Sequence, residues 1–212
     1  MKKLILVALT TTALIGVISS ANAESMLLQE NDFVGITFWL VSMSLLAATA
    51  FFFFERNTVA PIWRTSITVA GLVTGVAFVH YLYMRGIWVN TGETPTVYRY
   101  IDWLITMPLL TIEFYLILTV VKKVPRSMFW RLLTASLIML IARYMGESNM
   151  ISAGFGFFIG MVAWIYIIYE IFSGQTAKAA SASGNKSVKT AFAAMRMIVT
   201  VGWAIYPLGY LF

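Results

Sequence analysis

From residue 33 onward, apolar residues run along this chain in stretches of about 20, broken by short polar segments. The stretches fall at 33–54, 64–85, 97–121, 128–146, 152–173 and 191–212. At about 1.5 Å per residue, each is long enough to carry a helix across a hydrocarbon core of about 30 Å. The pattern predicts an all-α, polytopic transmembrane helix bundle with six spans, A to F. The breaks have ordinary loop chemistry. Segment 86–96, GIWVNTGETPT, alternates around a Gly-containing turn and predicts a short outer hairpin. The small, polar stretch 173–187, SGQTAKAASASGNKS, predicts a flexible cytoplasmic linker.

Ahead of the first span, Lys2 and Lys3 precede an apolar stretch from Leu4 to Ile18 and a small-residue site, Ala21-Asn22-Ala23. Residues 1–23 read as a cleaved signal peptide and 24–212 as the membrane domain; an uncleaved first span is the alternative. Cleavage leaves the new N-terminus outside, which turns the A–B, C–D and E–F connections to the cytoplasm. Arg56, Arg64, Lys122, Lys123, Arg126, Arg131, Lys178, Lys186 and Lys189 all fall there, as the positive-inside rule requires.

Composition agrees: 60% of the 212 residues are hydrophobic and 11% are charged, with a mean hydropathy of +0.82. Such a chain is a membrane protein, with lipid as its first partner. The net charge of +6 is accounted for by topology, without nucleic acid. There is no Cys, which excludes disulfides and thiolate metal sites, and no His cluster has metal spacing, so no metal is expected. No nucleophile, base and orienting group converge in the sequence, so an enzyme is not expected either.

Three charges break the third span, RYIDWLITMPLLTIEF: Arg99, Asp102 and Glu113. A charge at mid-membrane costs at least about 2.5 to 3.5 kcal/mol, which points to function. Asp102 and Glu113 are 11 residues apart, so a helix returns to within about 20° of the same face and separates them by about 16 Å along its axis. One lies toward the outside, the other toward the cytoplasm. That placement suits a relay in which a desolvated, protonated Glu113 donates and an ionised Asp102 accepts; pairing with other buried groups is the structural alternative. Arg99, one turn from Asp102, either holds it ionised or gates its exit, or else snorkels to the outer headgroups. His80, the single His of the sequence, falls at a similar depth on the preceding span, where it hydrogen-bonds Asp102 or serves as interhelical glue. Glu55, Glu147 and Glu170 read as interfacial charges. Arg143 lies a turn inside its span, with Glu147 four residues on as its best partner. Trp103, and Trp203 ahead of Tyr206-Pro207, are candidate walls of a ligand slot.

From about residue 32 to the end, these residues resemble the proteorhodopsin branch of the microbial rhodopsins. RYIDWLITMPLLTIEF carries the likeness, together with VHYLYMRG, YMGE and GWAIYPLGY. The resemblance implies a seven-helix rhodopsin fold, all-trans retinal as cofactor, and a light-driven pump moving protons outward. It also implies a bacterial inner membrane and a homo-oligomer, a pentamer or hexamer. Carried over, Asp102 matches the Schiff-base counterion and proton acceptor, Glu113 the cytoplasmic donor, His80 the histidine paired with the acceptor, and Arg99 the arginine beside that counterion. Trp103, Thr106, Trp203, Tyr206 and Pro207 match retinal-lining positions. Leu110 matches the colour-tuning position, and Leu there implies green absorption.

Two departures stand out. The resemblance calls for a seventh span bearing the retinal-binding lysine, whereas the lysines here are Lys2, Lys3, Lys122, Lys123, Lys178, Lys186 and Lys189, none in a span. The expectation is therefore a partial sequence of a longer pump, truncated before its seventh helix. The other is Arg143, where relatives carry a small residue. A photosensor is the main alternative function, opposed by Glu113 because a sensor needs no carboxylate donor. The remaining alternative is a six-span protein that binds no retinal.

Overall fold

The computed structural model describes residues 29–121 and 123–211. The expected signal peptide lies outside the described residues. Helix α1 is Phe33–Glu55 and a 3₁₀ turn over Pro61–Trp63 leads into α2, Arg64–Thr91. Then come α3, Thr96–Val121; α4, Arg126–Glu147; and α5, Ala153–Phe172. The remainder is α6, Gln175–Ser181; α7, Lys186–Met197; a π turn over Ile198–Gly202; and α8, Trp203–Leu211.

Six segments among the described residues are long and apolar enough to cross a membrane, and they match spans A to F. The seventh helix that the resemblance implies is not among them. Helices form because backbone groups in lipid have no water to bond and must satisfy one another along the segment. Caps mark the ends. Asp32 accepts the Gly35 N–H at 2.8 Å at the start of α1, and Asn185 accepts the Val188 N–H at 3.1 Å at the start of α7.

Two loop expectations change, and the last span carries an irregularity that the sequence did not announce. Segment 86–96 is no hairpin: α2 continues to Thr91 and stops at Gly92, whose φ of +67° a residue with a side chain seldom adopts. The linker 173–187 holds a short helix, α6, with Thr176, Ala177, Ala179 and Ala180 buried. Small residues allow that turn to nest under the bundle. The last span is interrupted by its π turn, which breaks the regular ladder and leaves the Val199 carbonyl to accept from Trp164 Nε1 at 3.2 Å.

Neighbouring helices pack in sequence order, α1 on α2 through α4 on α5, and α7 reaches back to α3 and α5. Phe114, Leu118, Leu132, Ile167, Ile171 and Phe192 centre the core. Helix α4 packs tightly on α5. A Cβ on Gly156 would stand 2.6 Å from the Ala142 carbonyl oxygen, so only glycine permits this contact. Helix α1 buries Gly35 and Ser42 and turns Phe33, Leu40, Phe51 and Phe54 outward, toward what would be lipid. Its N-terminal end is pinned to α2 by Trp88 Nε1, which donates to Asp32 Oδ1 at 3.1 Å. The Gly35 N–H and then the Trp88 N–H hold the Asp32 carboxyl below the usual carboxylate range. This pin weakens as the medium is acidified through that lowered value.

Candidate functional site

Helix α3 carries the two carboxylates as its periodicity predicts, and both are buried: Asp102 is 2% and Glu113 7% exposed. Glu113 Oε2 accepts from Ser66 Oγ on α2 at 2.6 Å, while Oε1 is buried without a hydrogen-bond partner among the described residues. Asp102 Oδ1 is likewise buried and unpartnered. A buried acceptor left open is costly, so these two oxygens are candidate sites for a proton or another donor.

His80 does face Asp102, with Nδ1 3.6 Å from Oδ1, but the expected hydrogen bond is not formed. The same Nδ1 lies 3.0 Å from the Val76 carbonyl oxygen, one turn back on its own helix. A carbonyl only accepts, so Nδ1 carries its proton toward Val76, and the contact with Asp102 is electrostatic.

Arg99 departs further from expectation. It neither holds Asp102 nor extends freely to the headgroups: Nη2 donates to Glu147 Oε2 on α4 at 3.0 Å, and its guanidinium lies 5.3 Å from the Trp103 ring. Glu147 also accepts from Tyr100 Oη at 2.6 Å and from Arg143 Nη2 at 3.3 Å. The expected Arg143–Glu147 partnership is present. Glu147, which the sequence presents as an interfacial charge, is thus the hub tying the N-terminal end of α3 to the C-terminal end of α4. Glu170 plays the same part at the other end. It accepts from Arg131 Nη1 at 3.1 Å, Tyr166 Oη at 3.2 Å and the Gln175 N–H at 3.1 Å.

An apolar slot opens between α3, α4, α5 and α8. Its walls are Tyr100, Trp103, Met107, Met139, Leu140, Arg143, Gly160, Met161, Trp164, Trp203, Tyr206 and Pro207. The Trp103 and Tyr206 rings meet edge to face at 4.6 Å, and Tyr100 meets Trp103 in the same way at 5.3 Å. Four of the expected lining residues are present: Trp103, Trp203, Tyr206 and Pro207. The other two are not among the walls. The Thr106 hydroxyl turns back to the Asp102 carbonyl at 2.9 Å, and Leu110, about 10 Å along the axis from Trp103, packs on the core. Sequence reasoning misses Ser66, Tyr100, Met107, Met139, Gly160 and Trp164. Only the aromatic content of the spans hints at them.

The family profile described as "Bacteriorhodopsin-like protein" matches residues 32–212. A green-light absorbing proteorhodopsin from Gamma-proteobacterium EBAC31A08 is 52% identical over 183 residues, 86% of this chain and 73% of that protein. The crystal structure of a blue light-absorbing proteorhodopsin from Med12 is similar at 55% identity and a TM-score of 0.70, over 84% of this chain and 80% of that one. That of xanthorhodopsin, described as a light-driven ion pump with dual chromophore, has a TM-score of 0.73 at 27% identity, over 84% and 77% of the two chains. With the profile spanning nearly all described residues and relatives at this identity, this multi-pass helical chain belongs to the bacteriorhodopsin-like, microbial rhodopsin family.

Proposed function

We propose that this chain is a retinal-binding, light-driven outward proton pump of a bacterial inner membrane, working in a homo-oligomeric ring with its N-terminus outside. The observation that carries the reading is the pair of buried, incompletely bonded carboxylates, Asp102 and Glu113, on one face of α3. Likeness to proteorhodopsins and to a light-driven ion pump supports it. The basic residues Arg56, Arg64, Lys123, Arg126, Arg131, Lys178, Lys186 and Lys189, gathered at one end of the bundle, support the orientation.

The mainly aromatic and apolar walls of the slot suit the body of a polyene. Asp102 is not one of those walls, but it precedes Trp103 on α3, and its open Oδ1 suits a cationic N–H. The slot does not supply the amine for a covalent link. Among the described residues the lysines are Lys123, Lys178, Lys186 and Lys189, and all are exposed, outside the slot. Retinal, when bound, supplies light absorption and a shape change on isomerisation. Of the chain's own residues, Trp103, Trp203, Tyr206 and Pro207 would clasp it and exclude water. Asp102 receives a proton, with His80 beside it, and Glu113 gives one up from the cytoplasmic side. The Ser66 hydroxyl holds Glu113 Oε2 in place throughout. On the outer side the Arg99–Glu147–Arg143 cluster stands as a fixed charged collar near the exit. Leu110 matches the family's colour-tuning position although it packs on the core outside the slot walls; on that match green absorption is expected, and Leu110→Gln shifts it to shorter wavelength.

The test is to express the protein in cells supplied with all-trans retinal and to record medium pH in light, with and without a protonophore. Light-driven acidification abolished by the protonophore is the expected result. No coloured species and no pH change overturns the reading. The exposed lysines favour one second reading, a bundle that uses the same carboxylates without a covalent pigment. Borohydride treatment followed by peptide mass analysis separates the two, since it traps only a covalent link and names the lysine that makes it.

A further inference from the structure

Away from the slot, α4 and α5 part on their lipid-facing side to form a long groove. Ser127, Arg131, Thr134 and Ile138 of α4 face Phe158 and Val162 of α5 across it. The groove is graded. Ser127, Trp130 and Arg131 line the end near the start of α4, and beyond Thr134 and Tyr166 the lining is apolar as far as Ile138 and Phe158. From Ser127 to Ile138 is 11 residues, about 16 Å along a helix, which is the depth of one leaflet's hydrocarbon.

The polar end is positive and uncapped. Lys123 and Arg126 are exposed just ahead of Ser127 in the chain, flanking this end, and Arg131 spends only Nη1 on Glu170 among its five N–H donors. The first turn of α4 contains no acid, and its N-cap, Pro125, offers no side-chain acceptor, so the helix N-terminus adds its own positive field. Three cations against the one carboxylate of Glu170 leave a net positive site directly above an apolar trough.

We propose that this groove is a binding site for one anionic phospholipid of the adjoining leaflet. Its phosphate sits among Arg126, Ser127 and Arg131, Trp130 lies at the headgroup level, and an acyl chain lies along Ile138, Phe158 and Val162. The site is independent of the retinal slot. It anchors the α4–α5 hairpin, the part of the bundle that carries both Glu147 and Glu170 contacts.

The experiment uses Trp130, which is 61% exposed, as its reporter. The purified protein is reconstituted in phosphatidylcholine vesicles doped with phosphatidylglycerol or phosphatidylcholine bearing brominated acyl chains. The Trp130 signal is taken as the difference from Trp130→Phe. Half-quenching is expected at a mole fraction of brominated phosphatidylglycerol well below that of brominated phosphatidylcholine, the gap shrinking about fivefold for each of Lys123→Gln and Arg126→Gln. Val162→Phe, which fills the trough and leaves every charge in place, is expected to remove the preference. These variants avoid Arg131, whose loss would strand the buried Glu170. Equal quenching by both lipids overturns the proposal, as does a preference that survives Val162→Phe. Protection of Trp130 from both lipids, with cross-linking of two copies across the groove, also overturns it and makes a second copy the occupant.

Discussion

Four carboxylates matter in this bundle, and they divide into two kinds. Glu147 and Glu170, at opposite ends of the α4–α5 hairpin, are ringed by donors: Arg99, Tyr100 and Arg143 around one, Arg131, Tyr166 and the Gln175 N–H around the other. Asp102 and Glu113, on α3 between those levels, each keep a buried oxygen with no hydrogen-bond partner among the described residues. Saturated carboxylates hold helices together, because protonating them would break several accepted bonds at once. Under-satisfied ones cost stability and are free to exchange protons. Burial alone does not distinguish the kinds: Glu170 is 3% exposed and Asp102 2%. The count of donors does.

The largest test of this division is Asp102→Asn. Light-driven acidification is expected to vanish while the melting temperature holds or rises, because an amide costs less than a lone carboxylate in that place. A fall in stability comparable to the loss of Glu147 would put Asp102 in the structural class. Glu113→Gln is expected to slow recovery of the photocycle by about 100-fold or more, the usual contribution of a positioned proton donor. Flash spectroscopy reads this directly, and an unchanged cycle removes Glu113 from the path. Glu147→Gln is expected to act the other way round. It leaves Arg99 and Arg143 facing each other without their shared anion and costs about 3 kcal/mol of stability, seen as a lowered melting temperature. Pumping by the molecules that remain folded is then retained in part. The smallest effect is that of Ser66→Ala. Loss of one hydrogen bond to Glu113, worth about 1 to 2 kcal/mol, is expected to alter the donor step by about tenfold and the melting temperature little. A larger stability loss than that of Glu147→Gln would reverse the ranking.

Most of the fold and part of the site are legible in the sequence. The spans follow from apolar run length, and the shared face of Asp102 and Glu113 follows from helical periodicity along one element. The Arg143–Glu147 pair is legible for the same reason, being four residues apart on one helix. Legibility fails wherever a partner lies on another helix. Arg99 stands one turn from Asp102 but bonds Glu147, 48 residues away. Ser66 reaches Glu113 across 47 residues, and nothing in the neighbourhood of either announces the other. Span position puts His80 at the right depth, yet its Nδ1 is engaged by the Val76 carbonyl, a backbone acceptor invisible to side-chain reasoning. The continuation of α2 to Thr91 escapes a reading by alternation because the pattern in 86–96 is short, and helix is the cheaper way to satisfy its backbone.

By itself, then, the sequence determined a six-span bundle among the described residues, its basic end, and the two carboxylates on α3. All three are consequences of local geometry and of the bilayer as solvent. Only the tertiary structure decided which acids are saturated, which aromatic residues enclose the slot, and where α4 and α5 part to leave a groove. Those depend on how one helix turns and rises against its neighbours, and helix rotation is set by close packing such as that of Gly156 on Ala142, which no run of residues along a single span encodes.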